Sequence, residues 1–484
     1  MSYEVIIGIE IHLELKTETK MFSGAPVAVN APSNSCVSAI DIALPGTLPQ
    51  LNQQAVKLAI MACTALNCEL DDLLRFDRKN YYYSDLPKGY QITQQFFPLG
   101  KNGYVLIKAD GKESKIRINR IHLEEDTAKQ YHHADGTYID FNRCGVPLIE
   151  IVSEADIRSG KQAVAYVEKL RTILYYLGVS DCRMEEGSLR CDINISLRPY
   201  GYNGLGNKVE VKNLNSIANI EKAVASEVTR QTALLNSGQE VEQATFRFDE
   251  ASRKTVLMRK KDSTVDYKYF PEPNIPLIRL SSEFIATTIK EIAELPEQRL
   301  VRYQKLNLSD YDCQLLLNNK QLGDYFDKVC QFTKDYKSAC NWLLGEFSSY
   351  LSKSKLSISE TKIKPESLAE LLQLINDEII SSKQAKLVFE EMTKGHSPKT
   401  VVEEKGLMQV SDDNVIIEII KQVLIDNPQS IKDYHQGKDR ALGYLVGQLM
   451  KLSQGQVNPA KASELLKEAL AQIKENADED QKET

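Results

Sequence analysis

The sequence lacks the cysteine pairs from which structural metal sites and redox motifs are built. Its 9 cysteines stand singly, and no C-x-x-C spacing occurs in the 484 residues. The sequence therefore excludes a zinc ribbon and a thioredoxin-like redox motif. An odd number of unpaired cysteines is typical of a reducing compartment, so we expect free thiols and a cytoplasmic protein.

Long apolar runs and a strong excess of positive charge are also missing. No stretch approaches the roughly 20 apolar residues that span a bilayer, and the first residues enter a strand pattern at once. We therefore expect neither a membrane segment nor a leader peptide. The net charge of -7 argues against a chain that coats nucleic acid through bulk charge, although it does not exclude a local basic surface.

Common nucleotide-binding and nucleophile motifs do not occur either. The chain has no G-x-x-x-x-G-K-[ST] sequence and no G-x-S-x-G elbow. The glycines of GYNGLG (201–206) are wrongly spaced for a dinucleotide fingerprint. If the chain uses ATP, we expect it to do so on a sheet face through metal ions rather than on a P-loop.

The patterns that are present predict an α+β protein with a largely antiparallel N-terminal sheet. Alternating strands are predicted at 104–110, 115–126, 191–197 and 207–214. A helix is predicted over 161–177, with Gly178 as its C-cap. Because strands and helices do not strictly alternate, the pattern favours an α+β layer over a doubly wound parallel sheet.

Near residue 293 the pattern changes to almost continuous helical periodicity. The sequence therefore predicts an α+β domain followed by two all-helical domains. Their predicted bounds are 1–292, 293–405 and 406–475, with a frayed acidic tail at 476–484.

Strands that carry carboxylates on one face are the strongest chemical signal. In GIEIHLEL, Glu10 and His12 share a face because isoleucine and leucine occupy the alternate positions. In RIHLEED, Glu124 lies on the face of His122, and Glu125 points the other way unless a bulge turns it. Polar faces of this composition are candidates for a metal site.

The same alternation recurs in CDINISL and KVEVKNLN, which contribute Asp192 and Glu210. If the four strand faces converge, hard oxygen ligands surround a site suited to Mg²⁺. Arg190 and Lys212 can then neutralise a transferring phosphoryl group. Alternatively, each face is only the solvated side of a half-buried sheet, which is the commoner explanation for any single strand.

A basic and aromatic segment, RFDRKNYYYSDLPKGYQITQ, covers residues 75–94. Interleaved lysines, arginines and tyrosines, among them Lys79, Tyr82 and Lys88, suit the end of a nucleic acid, where bases stack and phosphates are paired. The alternative is a loop that packs on its own tyrosines.

Several ordered blocks of the sequence resemble the B subunit of the glutamyl/aspartyl-tRNA amidotransferase. These blocks are GIEIHLELKTETKMFSG, FDRKNYYYSDLPKGYQITQ, HLEEDTAK, FNRCGVPLIEIVSEADIRS, MEEGSLRCDINISLRP and VEVKNLNS, with ALGYLVGQLMKLSQGQVNPAKASELLKEAL near the end. The resemblance runs from about residue 3 to residue 474. It implies an N-terminal fold similar to glutamine synthetase and guanido kinases, and a tail domain that binds tRNA.

The resemblance also implies a reaction and partners. ATP and Mg²⁺ serve to phosphorylate the side-chain carboxylate of Glu on tRNA(Gln) or of Asp on tRNA(Asn). Ammonia then arrives through a channel from a partner amidase (A) subunit and displaces the phosphate. A small C subunit completes a heterotrimer.

Site residues follow from the resemblance by position. The implied metal ligands are Glu10, His12, Glu124, Glu125, Asp192 and Glu210. Of these, Glu10, His12 and Glu125 are expected to act in catalysis. These positions coincide with the carboxylate-bearing strands.

Two further expectations come from the same resemblance. Lys79, Tyr82 and Lys88 are expected to line the ammonia exit or the aminoacyl end. Many relatives carry a cysteine zinc cluster in the segment 24–46, where this chain has only Cys36, so we expect no structural zinc.

Two other classes of function stay open on the sequence alone. One is a non-catalytic scaffold that holds tRNA, but convergent carboxylates would repel its phosphates. The other is a free-standing ATP-dependent carboxylate–amine ligase acting on a small acid, which has no need of a helical appendage.

Overall fold

The computed structural model describes residues 2–260, 266–409, 413–438, 440–453 and 456–480. The chain divides into two compact units, Met1–Gln298 and Arg299–Thr484. Each unit has its own hydrophobic core residues. Within the described residues, no helix combines the length and the apolar character needed to cross a membrane.

In chain order, the strands are β1 (Tyr3–Glu14), β2 (Glu69–Leu70), β3 (Leu73–Leu74), β4 (Asp77–Asn80), β5 (Tyr90–Thr93), β6 (Gly100–Ala109), β7 (Lys112–Glu125), β8 (Lys129–His133), β9 (Gly136–Asp140), β10 (Pro147–Ser153), β11 (Leu189–Pro199), β12 (Val209–Lys212), β13 (Ala244–Asp249), β14 (Lys254–Lys260), β15 (Phe270–Pro271) and β16 (Ile278–Arg279). Strands β1 to β12 lie in the first half of the chain, and β13 to β16 follow in the second half.

Three of the described α-helices lie in the first half of the chain and the others lie in the second half. In chain order, the α-helices are α1 (Gln53–Ala65), α2 (Gly160–Leu177), α3 (Ile217–Asn236), α4 (Ser282–Lys290), α5 (Pro296–Lys305), α6 (Asp310–Asn318), α7 (Lys320–Val329), α8 (Tyr336–Trp342), α9 (Ser348–Ser354), α10 (Pro365–Asn376), α11 (Ser382–Met392), α12 (Pro398–Glu404), α13 (Asp413–Asp426), α14 (Pro428–His435), α15 (Arg440–Leu452) and α16 (Pro459–Asp480). A π-helical turn (Leu343–Phe347) joins α8 to α9.

One large sheet organises the first unit. It has 9 strands in the order β14-β13-β12-β11-β1-β10-β7-β6-β2. Neighbouring strands run antiparallel except β12 and β13, which are parallel. The expected α+β class with a largely antiparallel sheet is confirmed. The likeness to glutamine synthetase and guanido kinases stays a prediction.

The central strand β1 shows why this sheet has one apolar and one polar face. Ile9, Ile11 and Leu13 are buried in a core that apolar side chains of α1, α2 and α3 complete. Glu10 and His12 alternate with them and are only half-buried. Because side chains alternate along a strand, the covering of one face by helices leaves the carboxylates together on the other.

Small sheets flank the large one. Strands β4 and β5, from the basic and aromatic segment, pair with each other, and β15 pairs with β4. Strand β3 pairs with β16, and β8 pairs with β9.

The second unit contains two separate apolar cores. One is built from residues between Tyr303 and Val402, and the other from residues between Ile416 and Leu470. The predicted domain bounds at 292, 405 and 475 stay predictions. Helix α16 runs to Asp480, and residues 481–484 of the predicted tail lie outside the described residues.

The predicted C-cap at Gly178 is confirmed and supports a stability prediction. Gly178 follows α2 with φ 70°, in the left-handed region that a side chain disfavours. Gly178→Ala should lower the free energy of unfolding by about 1 kcal/mol, measured by urea denaturation. Gly443→Ala, inside α15 with nothing within 4 Å of the added Cβ, should instead raise it by about 0.5–1 kcal/mol. Equal losses in both variants would contradict the argument.

Candidate active site

The polar face of the sheet brings together side chains from three neighbouring strands. His12 of β1 lies directly opposite Glu150 of β10, and Glu150 lies opposite His122 of β7. Glu124 is two residues further along β7 and projects from the same face. The pairing register therefore assembles two imidazoles and two carboxylates.

Distances within this group are short. The Nε2 atom of His12 lies 3.5 Å from Oε1 of Glu124 and 3.9 Å from Oε2 of Glu150. The Nε2 atom of His122 lies 3.0 Å from Oε2 of Glu150 and 3.4 Å from Oε2 of Glu124. Both histidines therefore point at the same pair of carboxylates.

Opposite charges in this group shift the pKa values of its members against the effect of burial. Burial would lower the pKa of His122, but the carboxylates of Glu150 and Glu124 raise it to about 9. Burial would likewise raise the pKa of Glu150, but the His122 and His12 imidazoles hold it well below its usual range. Glu150 is therefore a carboxylate at neutral pH, and His122 compensates its charge.

Three of these residues could hold a metal ion. One ligand atom each from His12, Glu124 and Glu150 lies within 4.8 Å of the others, and no other such group occurs among the described residues. The side chain of His12 is 26% exposed, whereas that of Glu124 is 4% exposed. The cluster is therefore anchored in the protein and open to solvent on the His12 side. We call these three residues the His12 cluster.

A second acidic group lies beside the first. Glu10 of β1 lies opposite Asp192 of β11. On the next strand, Glu210 of β12 lies opposite Asn194 of β11. The Nζ atom of Lys212 lies 2.5 Å from Oδ2 of Asp192 and 2.9 Å from Oε1 of Glu210. The Nδ2 atom of Asn194 donates to Oε1 of Glu10 at 2.9 Å. These contacts hold the three carboxylates on the same face of the sheet.

Glu10 connects the two groups. Burial raises its pKa above the usual value, and the carboxylates of Glu150 and Glu210 act in the same direction. Glu10 therefore experiences the negative charge of both groups. A carboxylate in this position favours a bound cation.

Glu125 is the predicted site residue that the structure does not bring to these groups. No bulge interrupts β7 between His122 and Glu125, so Glu125 points to the opposite face. Its carboxylate contacts Nζ of Lys88 and accepts the backbone N–H of Ile92 at 3.0 Å. Glu125 and Lys88 therefore form a buried ion pair away from the His12 cluster.

The two predicted phosphate-binding residues both have carboxylate partners. Arg190 donates to both oxygens of Asp126, at 3.2 and 2.7 Å. Lys212 bridges Asp192 and Glu210. Neither cation is left unpaired on the polar face.

The residues predicted at the aminoacyl end are spread over the segment 75–94. Lys79 lies with its Nζ atom 5.0 Å from the ring centre of Tyr267. Burial would lower the pKa of Lys79, but the carboxylates of Glu124 and Glu150 raise it above the usual value. Tyr82 is 88% exposed.

Glu150 is the residue that sequence reasoning missed. It is a lone acid in the apolar stretch GVPLIEIVS, where its neighbours Ile149 and Ile151 are fully buried. The alternation of Glu150 against these isoleucines is the same signal that identified Glu10 and His12. A single polar position in an apolar strand was too short a pattern to stand out.

The chain is an α+β unit, with a His and carboxylate cluster on a largely antiparallel sheet, followed by a helical unit. Two family models match a chain of this build. A model described as "GatB/GatE catalytic domain" covers residues 5–286, and a second described as "GatB domain" covers 324–470.

Curated relatives match nearly the whole chain. They are B subunits of aspartyl/glutamyl-tRNA(Asn/Gln) amidotransferases, 48% identical in Enterococcus faecalis, 49% in Geobacillus thermodenitrificans and 48% in Staphylococcus epidermidis. Each match covers 97% of this chain and at least 99% of the relative. The chain therefore belongs to the family of B subunits of this amidotransferase, which confirms the resemblance of the sequence blocks.

Proposed function

We propose that the chain is the activating subunit of a tRNA-dependent amidotransferase. In this proposal, it uses ATP to phosphorylate the side-chain carboxylate of Glu on tRNA(Gln) or of Asp on tRNA(Asn). A carboxylate oxygen attacks the γ-phosphorus, ADP leaves, and ammonia then displaces phosphate to give the amide. The observation that supports this chemistry most directly is the His12 cluster on the sheet face, in a chain whose relatives carry the amidotransferase name.

The His12 cluster fits a divalent cation. Its two carboxylates supply hard oxygen ligands and its imidazole supplies a nitrogen, a donor set that suits Mg²⁺ or Mn²⁺. The same two carboxylates raise the pKa of the neighbouring His122 to about 9, which indicates an excess of negative charge at the cluster. Mg²⁺ held there would neutralise charge on the triphosphate.

Other residues of the polar face have orienting roles in this proposal. Asp192 and Glu210 hold the Lys212 ammonium, which keeps a positive charge among the acids of the polar face. The Asn194 amide fixes the rotamer of Glu10 through its hydrogen bond. Fixed charges of this kind need no reorganisation during phosphoryl transfer.

The proposal includes partners and a location. Ammonia would come from a partner amidase (A) subunit, with a small C subunit completing a heterotrimer in the cytoplasm. Lys79, Tyr82 and Lys88 would lie near the aminoacyl end or the ammonia exit, and the helical tail would contact tRNA. We keep the expectation of no structural zinc, because the segment 24–46 contains only one cysteine, Cys36.

The test supplies ammonium in place of glutamine, so that only the activating step and the transfer are measured. The chain, assembled with its partner subunits, receives ATP, Mg²⁺ and Glu-tRNA(Gln). We expect ATP-dependent formation of Gln-tRNA, and a loss of about tenfold in Glu10→Gln because a buried charge beside the cluster is removed.

Two outcomes would contradict the proposal. ATP-dependent Gln-tRNA formation at the wild-type rate in Glu10→Gln would favour the scaffold function, with activation on another subunit. Turnover of free glutamate at the rate of Glu-tRNA(Gln) would favour a free-standing ligase.

A further inference from the structure

Arg120 is a cation on the polar face that none of the predictions includes. It lies in β7 opposite Val152 of β10, whose other neighbour in the register is Glu10 of β1. It precedes His122 and Glu124 at even spacing, so its side chain projects from the face that carries the His12 cluster. Arg120 is therefore in the same row of the sheet as Glu10.

Arg120 has no carboxylate partner among the residues that the structure describes. Its Nε atom is buried and has no hydrogen-bond partner, and none of its guanidinium nitrogens takes part in an ion pair with any residue that the structure describes. A buried, unpaired N–H group costs free energy that a bound acceptor would recover. The side chain therefore offers an anion an unpaired positive charge and an unused hydrogen-bond donor.

Two other cations of this face, Arg190 and Lys212, differ from Arg120 in having carboxylate partners. Arg190 is held by Asp126, and Lys212 is held by Asp192 and Glu210. Their charge is already balanced by protein. A ligand with several negative charges would bind Arg120 more tightly than Arg190 or Lys212, because it need not displace a carboxylate from Arg120.

The residues around Arg120 indicate which class of anion it would bind. Tyr269 lies close enough for the Arg120 charge to act on its phenol, and the Tyr269 ring contacts Tyr267 and Phe96 edge to face. Arg120 therefore lies between a cluster suited to a divalent cation and an aromatic surface. A nucleoside triphosphate combines phosphates that bind a metal with further oxygens that accept from a guanidinium fork.

We infer that Arg120 binds the terminal phosphate of the nucleoside triphosphate, beside the His12 cluster. This inference rests on the proposed function and adds a residue to it. The guanidinium would donate to oxygens of the γ-phosphate and neutralise charge that spreads over it during transfer. Arg190 and Lys212 then keep the carboxylates in position rather than contacting phosphate.

The experiment measures binding of ATP, ADP and AMP, each with Mg²⁺, to the full chain in its complex with the partner subunits by calorimetry. Arg120→Ala should weaken ATP binding roughly ten- to fiftyfold, because a charge-assisted contact is lost. ADP and AMP, which lack the γ-phosphate, should bind within about threefold of wild type. Arg120→Lys keeps the charge without the planar fork and should fall between wild type and alanine.

Arg117→Ala is the matched control on the same strand. Arg117 lies beyond the register shift that separates Ile118 from Arg120, is 61% exposed and is held by Asp156 at 2.7 Å, so its loss should leave ATP affinity unchanged. Wild-type ATP affinity in Arg120→Ala would overturn the inference, and so would equal weakening of ATP and AMP. A raised KM for charged tRNA with unchanged ATP affinity would assign Arg120 to the carboxylate of the acid instead. A wild-type complex that neither binds ATP nor forms Gln-tRNA would overturn the proposed function itself.

Discussion

Glu150→Gln should reduce ATP-dependent amidation on the order of 1,000-fold while the protein stays folded. The substitution keeps the shape of the side chain but removes the charge that faces His12 and His122 at 3.9 and 3.0 Å. It also replaces one of the two carboxylates of the His12 cluster by a neutral amide, which is a weaker ligand for a divalent cation. We therefore expect Mn²⁺ binding, followed by electron paramagnetic resonance, to weaken together with activity.

Glu154→Gln is a suitable control for this variant. Glu154 follows β10 and accepts a hydrogen bond from Asn119 at 2.7 Å in an exposed position, so it has no part in the cluster. Its activity and Mn²⁺ affinity should match wild type. If Glu150→Gln kept full activity or bound Mn²⁺ as tightly as wild type, the proposed metal site would be wrong.

The sequence predicted the polar face of the sheet because that face depends only on local alternation. Ile9, Ile11 and Leu13 are buried as expected, and Glu10 and His12 lie on the opposite side. A strand repeats every two residues, so the apolar positions alone determine where the polar ones point.

The composition of the His12 cluster could not be predicted in the same way. The closeness of His12 to Glu150 follows from the pairing of β1 with β10, strands that are far apart in sequence. Strand order and register depend on packing across the whole sheet. The same holds for the pairing of Arg190 with Asp126, which no local pattern indicates.

Glu125 illustrates a conflict between two sources of prediction. The alternation of β7 sends Glu124 and Glu125 to opposite faces, whereas the resemblance grouped both as metal ligands. In the structure Glu124 joins the His12 cluster and Glu125 pairs with Lys88. The geometric rule therefore accounts for the positions of both residues, and the role of Glu125 as a metal ligand stays a prediction.

Lys79→Ala should reduce amidation of Glu-tRNA(Gln) on the order of 100-fold and leave ATP binding within about threefold of wild type. Its ammonium makes no hydrogen bond or ion pair with the residues that the structure describes, and it lies 5.8 Å from the ring centre of Tyr81 as well as near Tyr267. The carboxylates of Glu124 and Glu150 keep its pKa above the usual value, so the positive charge is present at neutral pH.

Lys115→Ala provides the matched control, because Lys115 also lies over an aromatic ring, 4.0 Å from the centre of Tyr104, but on a different part of the sheet. Single-turnover amidation and ATP calorimetry on both variants separate the possible roles. Loss of amidation without loss of ATP affinity in Lys79→Ala assigns the ammonium to the aminoacyl end. Unaltered amidation would remove Lys79 from the site, and a parallel loss of ATP affinity would make it a second phosphate contact beside Arg120.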